Sequence, residues 1–299
     1  MSATHSLEAG AGHRRHRVRG TMYAVLLPPL IWFSFFILLP YIVMFLYSVM
    51  SKHGVTVGPP LTMASWVRLF TVPTYSRVVL KSAIIAAIVA VLAAIAAYPV
   101  AHHLALHARG RKQRALYVLA IIPLWASYLV RAYSWKVILG EQGIINSSLL
   151  NLGLIKQPIS ALLYSHFAIV LVLLHLFIPF SILSQFASME RIPHSLVEAS
   201  GDLGGSRWVT FWRVILPLCV PGLVAGATIS FSLSFGDFVA PILVGGPDGI
   251  MVANIIQTLY GASFDWPLGS ALSILMLALA VVTMLISARV ERKYETILG

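Results

Sequence analysis

The chain has 299 residues, of which 59% are hydrophobic and 10% charged, with 21 Lys and Arg against 10 Asp and Glu and a formal net charge of +11. Soluble domains carry roughly 25% charged residues, so this shortage of charge excludes an ordinary water-exposed surface, a disordered tail protein and a disulfide-stapled mini-protein. Its single cysteine, Cys219, excludes an intramolecular disulfide and any multi-cysteine metal centre.

The apolar residues run in long blocks, which points to one all-α bundle of membrane helices. A membrane helix needs about 20 mainly apolar residues. Six stretches qualify, at 23–50, 78–106, 115–139, 161–186, 218–244 and 267–290. The organisation read from them is a basic tail at 1–22, a six-span domain at 23–290 and a short tail at 291–299. The first span is too long for the apolar core of a signal peptide, and no small-x-small cleavage pattern follows it. Pro28, Pro29 and Pro40 predict irregular or kinked turns within it.

The excess cations sort by side. Arg14, Arg15, Arg17 and Arg19 precede the first span, and Arg109, Arg111, Lys112 and Arg114 lie between the second and third. Arg191, Arg207 and Arg213 lie between the fourth and fifth, and Arg289, Arg292 and Lys293 follow the sixth. The opposite loops hold only Lys52, Arg68, Arg77 and Lys156. The positive-inside rule then places both termini in the cytoplasm. The run Arg14 to Arg19 reads as a topology anchor facing anionic lipid, and nucleic acid is not expected as a partner.

Of the outer loops, 62–74 holds Trp66, Leu69 and Phe70 and suits an interfacial amphipathic turn, and 149–155 suits another. Small residues recur in the second span (Ala83, Ala87, Ala90, Ala94, Ala97) and in the fifth (Gly222, Gly226), a spacing that lets helix backbones approach closely. His103 and His107 have metal-ligand spacing but no evident third ligand, and His166 and His175 fall on different helix faces, so no metal site is expected.

The most informative segment is the loop 187–217 on the cytoplasmic side. Ser195 and Glu198 have capping-box spacing and predict a helix start at Ser195. Gly204 and Gly205 end that helix. Ser206 caps a second helix, which Pro217 is expected to stop. Trp208, Phe211, Trp212 and Ile215 form a broad apolar stripe on it. Helix, Gly-Gly turn and aromatic-rich helix suit a groove on another protein, although an amphipathic hairpin lying on lipid has the same pattern.

The segment resembles the EAA loop of ATP-binding-cassette importer permeases, whose pattern is Glu-Ala-Ala, three residues, Gly, nine residues, an aliphatic residue, any residue, then Leu-Pro. Here it reads Glu198, Ala199, Ser200, then Gly204, Val214, Leu216 and Pro217, with Ser200 in place of the second alanine and Val214 in place of the usual isoleucine. The resemblance implies a coupling loop that fits a cleft on an ATPase subunit, carried by Glu198, Ala199, Ser200, Gly204, Trp208, Phe211, Leu216 and Pro217. The chain has no G-x-x-x-x-G-K-[ST] phosphate loop, so it is read as a transport subunit that is not itself an enzyme. It needs no cofactor of its own, with ATP and Mg carried by the partner.

Three further stretches, 123–135, 234–247 and 265–272, look like the first of the two paralogous permeases of spermidine/putrescine importers. This resemblance implies a six-span MetI-like fold in a bacterial inner membrane. It also implies a paralogous second permease, an ATPase dimer and an extracytoplasmic substrate-binding protein. The competing substrates are sulfate, ferric iron, thiamine and amino acid derivatives. An ion-coupled secondary transporter is the rival from another class, and it would want paired intramembrane acids and bases.

Asp237 is the one acid well inside a span, and an ionisable residue there is a functional candidate. It either faces a pathway for protonated amines or pairs with Arg131 or Lys136, which are read as a gate or a structural ion pair. Tyr128, Tyr133, Trp135, Phe235 and Phe238 are candidates for cation–π attraction along the pathway, with helix packing the alternative for each.

Overall fold

A computed structural model of the chain describes residues 4–54 and 56–295, except for the side chains of 4–24, 194 and 295. The side chains of the basic run Arg14 to Arg19 therefore lie outside the described residues.

The first helix, α1, is continuous over Thr4–Ser48. Pro28, Pro29 and Pro40 lie inside it without ending it. Each proline removes one backbone donor, but the helix closes around the missing bonds. A hairpin that the sequence reading did not foresee follows, with β1 (Met50–His53) antiparallel to β2 (Thr56–Leu61). Then come α2 (Ala64–Thr71), in the expected outer amphipathic turn, and α3 (Pro73–His102), which runs on through a π turn at His103–His107.

The third expected span is not one straight helix. It comprises α4 (Gly110–Trp125) and α5 (Tyr128–Leu139), with α6 (Ile144–Asn151) beyond. The chain bends by 86° between Gly110–Trp125 and Tyr128–Asn151. Ala126 and Ser127 are extended at the break, with ψ of 143° and 131°. Extended backbone at membrane depth leaves polar groups that must be satisfied by protein. The helix α7 (His166–Met189) matches the fourth span. After the loop helix α8 (His194–Asp202), α9 (Arg207–Thr210) passes through a π turn at Phe211–Ile215 into α10 (Leu216–Phe235). Two short turns, Pro241–Gly245 and Pro247–Gly249, lead to α11 (Val252–Tyr260), and α12 (Trp266–Glu295) closes the chain.

Among the described residues, five helices are long and apolar enough to cross a membrane, or six if the bent pair forms one span. The fold is the expected helical membrane bundle, with the β1–β2 hairpin as its one departure among the described residues. Its centre is the packing of α3, α7 and α10, with α12 against α10 and α1 against α12. The buried stripe of α3 includes Ala86, Ala90, Ala93, Ala97 and Ala101, at spacings of four, three, four and four. Small residues also set the contact between α7 and α10. A Cβ added to Gly222 would lie 2.4 Å from the Ser188 Cβ, and one added to Gly226 would lie 2.9 Å from the Ser181 Cα. There the Ser181 hydroxyl donates to the Gly226 carbonyl at 3.1 Å and lies 3.0 Å from the Ser230 hydroxyl. Interhelical bonds of this kind average about 0.6 kcal/mol in a membrane, so close packing carries most of the contact.

Candidate functional site

The loop between α7 and α10 folds as a helical hairpin. Its first helix starts after Pro193, which is the N-cap at φ −62° and ψ 128° without a side-chain bond. Ser195 is therefore already inside the helix, and the expected capping box with Glu198 does not form. Proline presets the φ of the cap, so the chain enters the helix earlier than the serine signal implied.

The C-terminus of α8 follows the sequence reading closely. The Gly205 amide donates to the Ser200 carbonyl at 2.9 Å and the Gly204 amide to the Gly201 carbonyl at 2.9 Å. This pair of bonds is a Schellman motif, and it needs Gly204 at φ +77°. Ser206 then caps α9, accepting from the Val209 amide at 3.4 Å. The Ser200 and Thr210 hydroxyls, 2.8 Å apart, tie the two helices together.

Pro217 does not stop the second helix. It falls in the first turn of α10, directly after the π turn. In that turn the Leu216 amide reaches back to the Phe211 carbonyl. The wider turn accommodates a ring that would otherwise press on the preceding turn. Helix α9, the π turn and α10 therefore form one span over Arg207–Phe235.

The apolar stripe divides in two. Ile215 is buried and Phe211 half-buried, with the Phe211 ring edge-on to Tyr98 at 5.6 Å. Trp208 is 69% exposed and Trp212 is also exposed, each packed against Phe211. Glu198, Ala199 and Leu203 are exposed too, whereas Leu216 and Pro217 are half-buried. The hairpin thus has an inner face on the bundle and an outer face of acid, alanine, leucine and tryptophan.

The second candidate region lies where two spans are interrupted. Helix α10 ends at Phe235, Gly236 is its C-cap, and Asp237 follows. Asp237 is 8% exposed. Its Oδ1 accepts from the Ala240 amide at 2.8 Å, and its Oδ2 accepts from the Tyr128 hydroxyl. Tyr128 is the first residue of α5, just past the bend in the third span. One carboxylate therefore joins the two breaks and accepts from the Ala240 amide, which would otherwise be open at the start of the turn Pro241–Gly245. Neither Arg131 nor Lys136 pairs with it, so the ion-pair alternative does not form in this conformation. The Arg131 Nη1 points to the Leu176 carbonyl at 3.5 Å, and its Nε is buried without a partner among the described residues. Lys136 stands over the Tyr133 ring, 6.0 Å from its centroid.

The candidate aromatics separate in the same way. Phe235 is 1% exposed, stacks on Phe231 at 5.6 Å and belongs to the core around Leu268 and Leu272. Trp135 packs edge-on against His175 at 5.5 Å, beside the core around Leu173. Tyr133 and Phe238 are exposed and share a groove of about 530 Å³ with Leu129, Val130 and Ile242.

Sequence reasoning missed several polar residues that hold the irregular segment after Asp237. The Asn254 amide group donates to the Phe238 carbonyl at 2.7 Å, while its oxygen accepts from the Met251 amide at 2.9 Å. Ser82 accepts from the Val252 amide and Lys81 donates to the Asp248 carbonyl. Asp265 caps α12 and pairs with Arg68 of α2 at 3.0 Å. The signal for the cap was legible, since Asp-Trp-Pro before an apolar run is a helix-start pattern.

Comparison with known proteins follows the same architecture. Residues 90–296 match the family described as the binding-protein-dependent transport system inner membrane component. The spermidine/putrescine transport system permease protein PotB of Haemophilus influenzae is 32% identical over 263 residues, covering 87% of this chain and 91% of the relative. The inner membrane ABC transporter permease protein YdcU of Escherichia coli is 33% identical over 273 residues, covering 86% of each. Among solved structures, a bacterial ABC transporter involved in import of the acidic polysaccharide alginate superposes with a TM-score of 0.70 at 18% identity, covering 94% of this chain and 98% of that one. The MetNI methionine ABC transporter gives a TM-score of 0.56 at 17% identity, covering 73% and 95%. At these identities the structural likeness is one of fold.

Proposed function

The chain belongs to the family of binding-protein-dependent transport system inner membrane components and is the permease subunit of an ABC importer, and we propose that its substrates are polyamines such as spermidine and putrescine. The observation that carries the substrate class is the near full-length similarity to a spermidine/putrescine permease, 32% identical over 87% of the chain. Family membership disposes of the ion-coupled secondary transporter.

In this reading the hairpin 194–215 is the coupling element. Its outer face offers Glu198, Ala199, Trp208 and Trp212 to a cleft on an ATPase subunit, which carries the ATP and Mg. Its inner face, through Phe211 and Ile215, bears on the bundle. A paralogous second permease completes the pathway, and an extracytoplasmic binding protein delivers the amine at the end of the bundle that holds the β-hairpin and α2. Both termini and the hairpin 194–215 face the cytoplasm.

The geometry sharpens the pathway residues. Both Asp237 oxygens are engaged in this conformation, so an ammonium group reaches the carboxylate only if Tyr128 releases it. Tyr133 and Phe238 are the aromatics with accessible faces. Lys136 stands 6.0 Å from the centroid of the Tyr133 ring, so a substrate amine on that side would compete with it. Phe235 and Trp135 act in packing.

The test is uptake of labelled spermidine, putrescine and sulfate in a bacterial host lacking its own polyamine importers. The chain is expressed there with its partner subunits. Saturable amine uptake that requires an ATPase-competent partner is expected. Sulfate uptake without amine uptake would overturn the substrate class.

A further inference from the structure

Between the coupling hairpin and the end of α3 lies a groove of about 760 Å³, walled by Tyr98 and Phe211, with the exposed Trp208 at its outer lip and His102, His107 and Arg207 on its border. We propose that this groove binds the headgroup of an anionic phospholipid, with Arg207 as its principal cationic contact.

Three features support this assignment. The first is charge. No acidic residue lines the groove, and Arg207 is exposed and makes no ion pair among the described residues. From His107 the chain continues into the exposed Arg109, Arg111, Lys112 and Arg114. A guanidinium matches phosphate oxygens with paired N–H donors. An imidazole N–H also donates to phosphate, and the His102 and His107 rings lie 5.2 Å apart, close enough to share one phosphate group. A zwitterionic headgroup would bring its ammonium beside Arg207 with no carboxylate to receive it.

The second feature is the wall. Tyr98 meets Phe211 at 5.6 Å and Phe211 meets Trp208 at 5.8 Å, giving a continuous aromatic surface for the glycerol and upper acyl chain. The Tyr98 hydroxyl is buried and has no acceptor among the described residues. The third is depth. His102 and His107 end one span and Arg207 begins another, and spans longer than the roughly 30 Å hydrocarbon core carry such ends to the level of the headgroups. Basic pockets between membrane helices at this level suit anionic headgroups, and rings belong there as well. A bound lipid would touch both α3 and the coupling hairpin, making the hairpin sensitive to membrane charge.

The test uses the full chain purified in detergent with its co-purifying subunits and stripped of lipid. Soluble short-chain phosphatidylglycerol, short-chain phosphatidylcholine and inorganic phosphate are titrated by thermophoresis. Saturable binding of phosphatidylglycerol is expected, with at least fivefold weaker binding of phosphatidylcholine and no displacement by equimolar phosphate. Arg207→Gln should weaken binding about fivefold or more, from the worth of one basic residue at a lipid surface. His107→Gln should weaken it less, and Arg111→Gln, on the exposed loop, should change it less than twofold. Each variant is compared at matched elution profile, so a misfolded preparation is recognised, and the wild-type preference among the three ligands stands apart from any variant. Equal binding of the two lipids, an unaltered affinity in Arg207→Gln, or displacement by inorganic phosphate would each overturn the assignment. Lipid binding needs no ATP, so its failure is distinguishable from failure of the importer reading.

Discussion

Replacing Gly204 by alanine separates backbone conformation from crowding. Gly204 holds φ +77°, and a Cβ there would meet nothing within 4 Å. The cost is therefore conformational, about 1–2 kcal/mol for an L-residue in the left-handed region. That shifts the ratio of formed to unformed Schellman turn by roughly 5- to 30-fold. Gly205 is the converse case. Its φ is unremarkable for any residue, but a Cβ would lie 2.7 Å from the Ser200 carbonyl oxygen and 2.8 Å from the Ser200 Oγ. Alanine there pushes directly on the acceptor of the Gly205 amide and on the hydroxyl that meets Thr210. Gly204→Asn should be milder than Gly204→Ala, because asparagine tolerates the left-handed region. The assay is retention of the ATPase subunit on affinity-purified permease, together with substrate uptake, in membranes containing equal amounts of each variant. Retention is expected to be highest in the wild type, lower in Gly204→Asn and lowest in Gly204→Ala, with Gly205→Ala also impaired. Full retention and uptake in Gly204→Ala would refute the argument, as would asparagine and alanine variants that behave alike.

Tyr128→Phe leaves the buried Asp237 Oδ2 without its donor. A lost partner of a buried polar group costs about 1–3 kcal/mol, so a lower unfolding temperature is expected in detergent, and an unchanged one would remove the hydrogen bond from the account. Phe235→Ala should destabilise by about 3–5 kcal/mol as a core truncation, whereas Phe238→Ala, exposed beside Tyr133, should leave thermal stability near wild type and alter uptake instead. Arg68→Ala breaks a pair whose arginine is half exposed, so its effect on the unfolding temperature should correspond to less than about 1 kcal/mol.

The spans were legible because apolar length is a direct physical requirement of the bilayer, and the end of α8 was legible because only glycine is at ease at φ +77°. The interruptions were harder to read. The break at Ala126 and Ser127 carries no glycine, and the nearest proline, Pro123, lies inside α4. Just past the bend Tyr128 reaches Asp237, 109 residues away, a contact that no local pattern encodes. Pro217 misled for a related reason. Proline ends a regular α-helix, but a π turn just before it changes the local spacing and lets the rod continue. Ser195 lost the capping position to Pro193, two residues upstream. Among the pathway aromatics, sequence spacing did not separate the buried Phe235 from the exposed Phe238, because the helix ends between them and periodicity no longer applies.

The continuity of Arg207–Phe235 has a mechanical consequence. At 1.5 Å per residue its 29 residues make a shaft about 43 Å long. One end carries the exposed tryptophans, and the other ends one residue short of Gly236, next to the carboxylate that clasps the bend in the neighbouring span. A push or twist delivered at Trp208 is thus carried to the Asp237 clasp by a single lever. Its irregular positions, the π turn at 211–215 and Pro221 inside α10, both lie nearer the Trp208 end than the Asp237 end. The far end of the shaft therefore meets the elbow formed by Tyr128 and Asp237, with Pro217 seated just past the π turn at the other end.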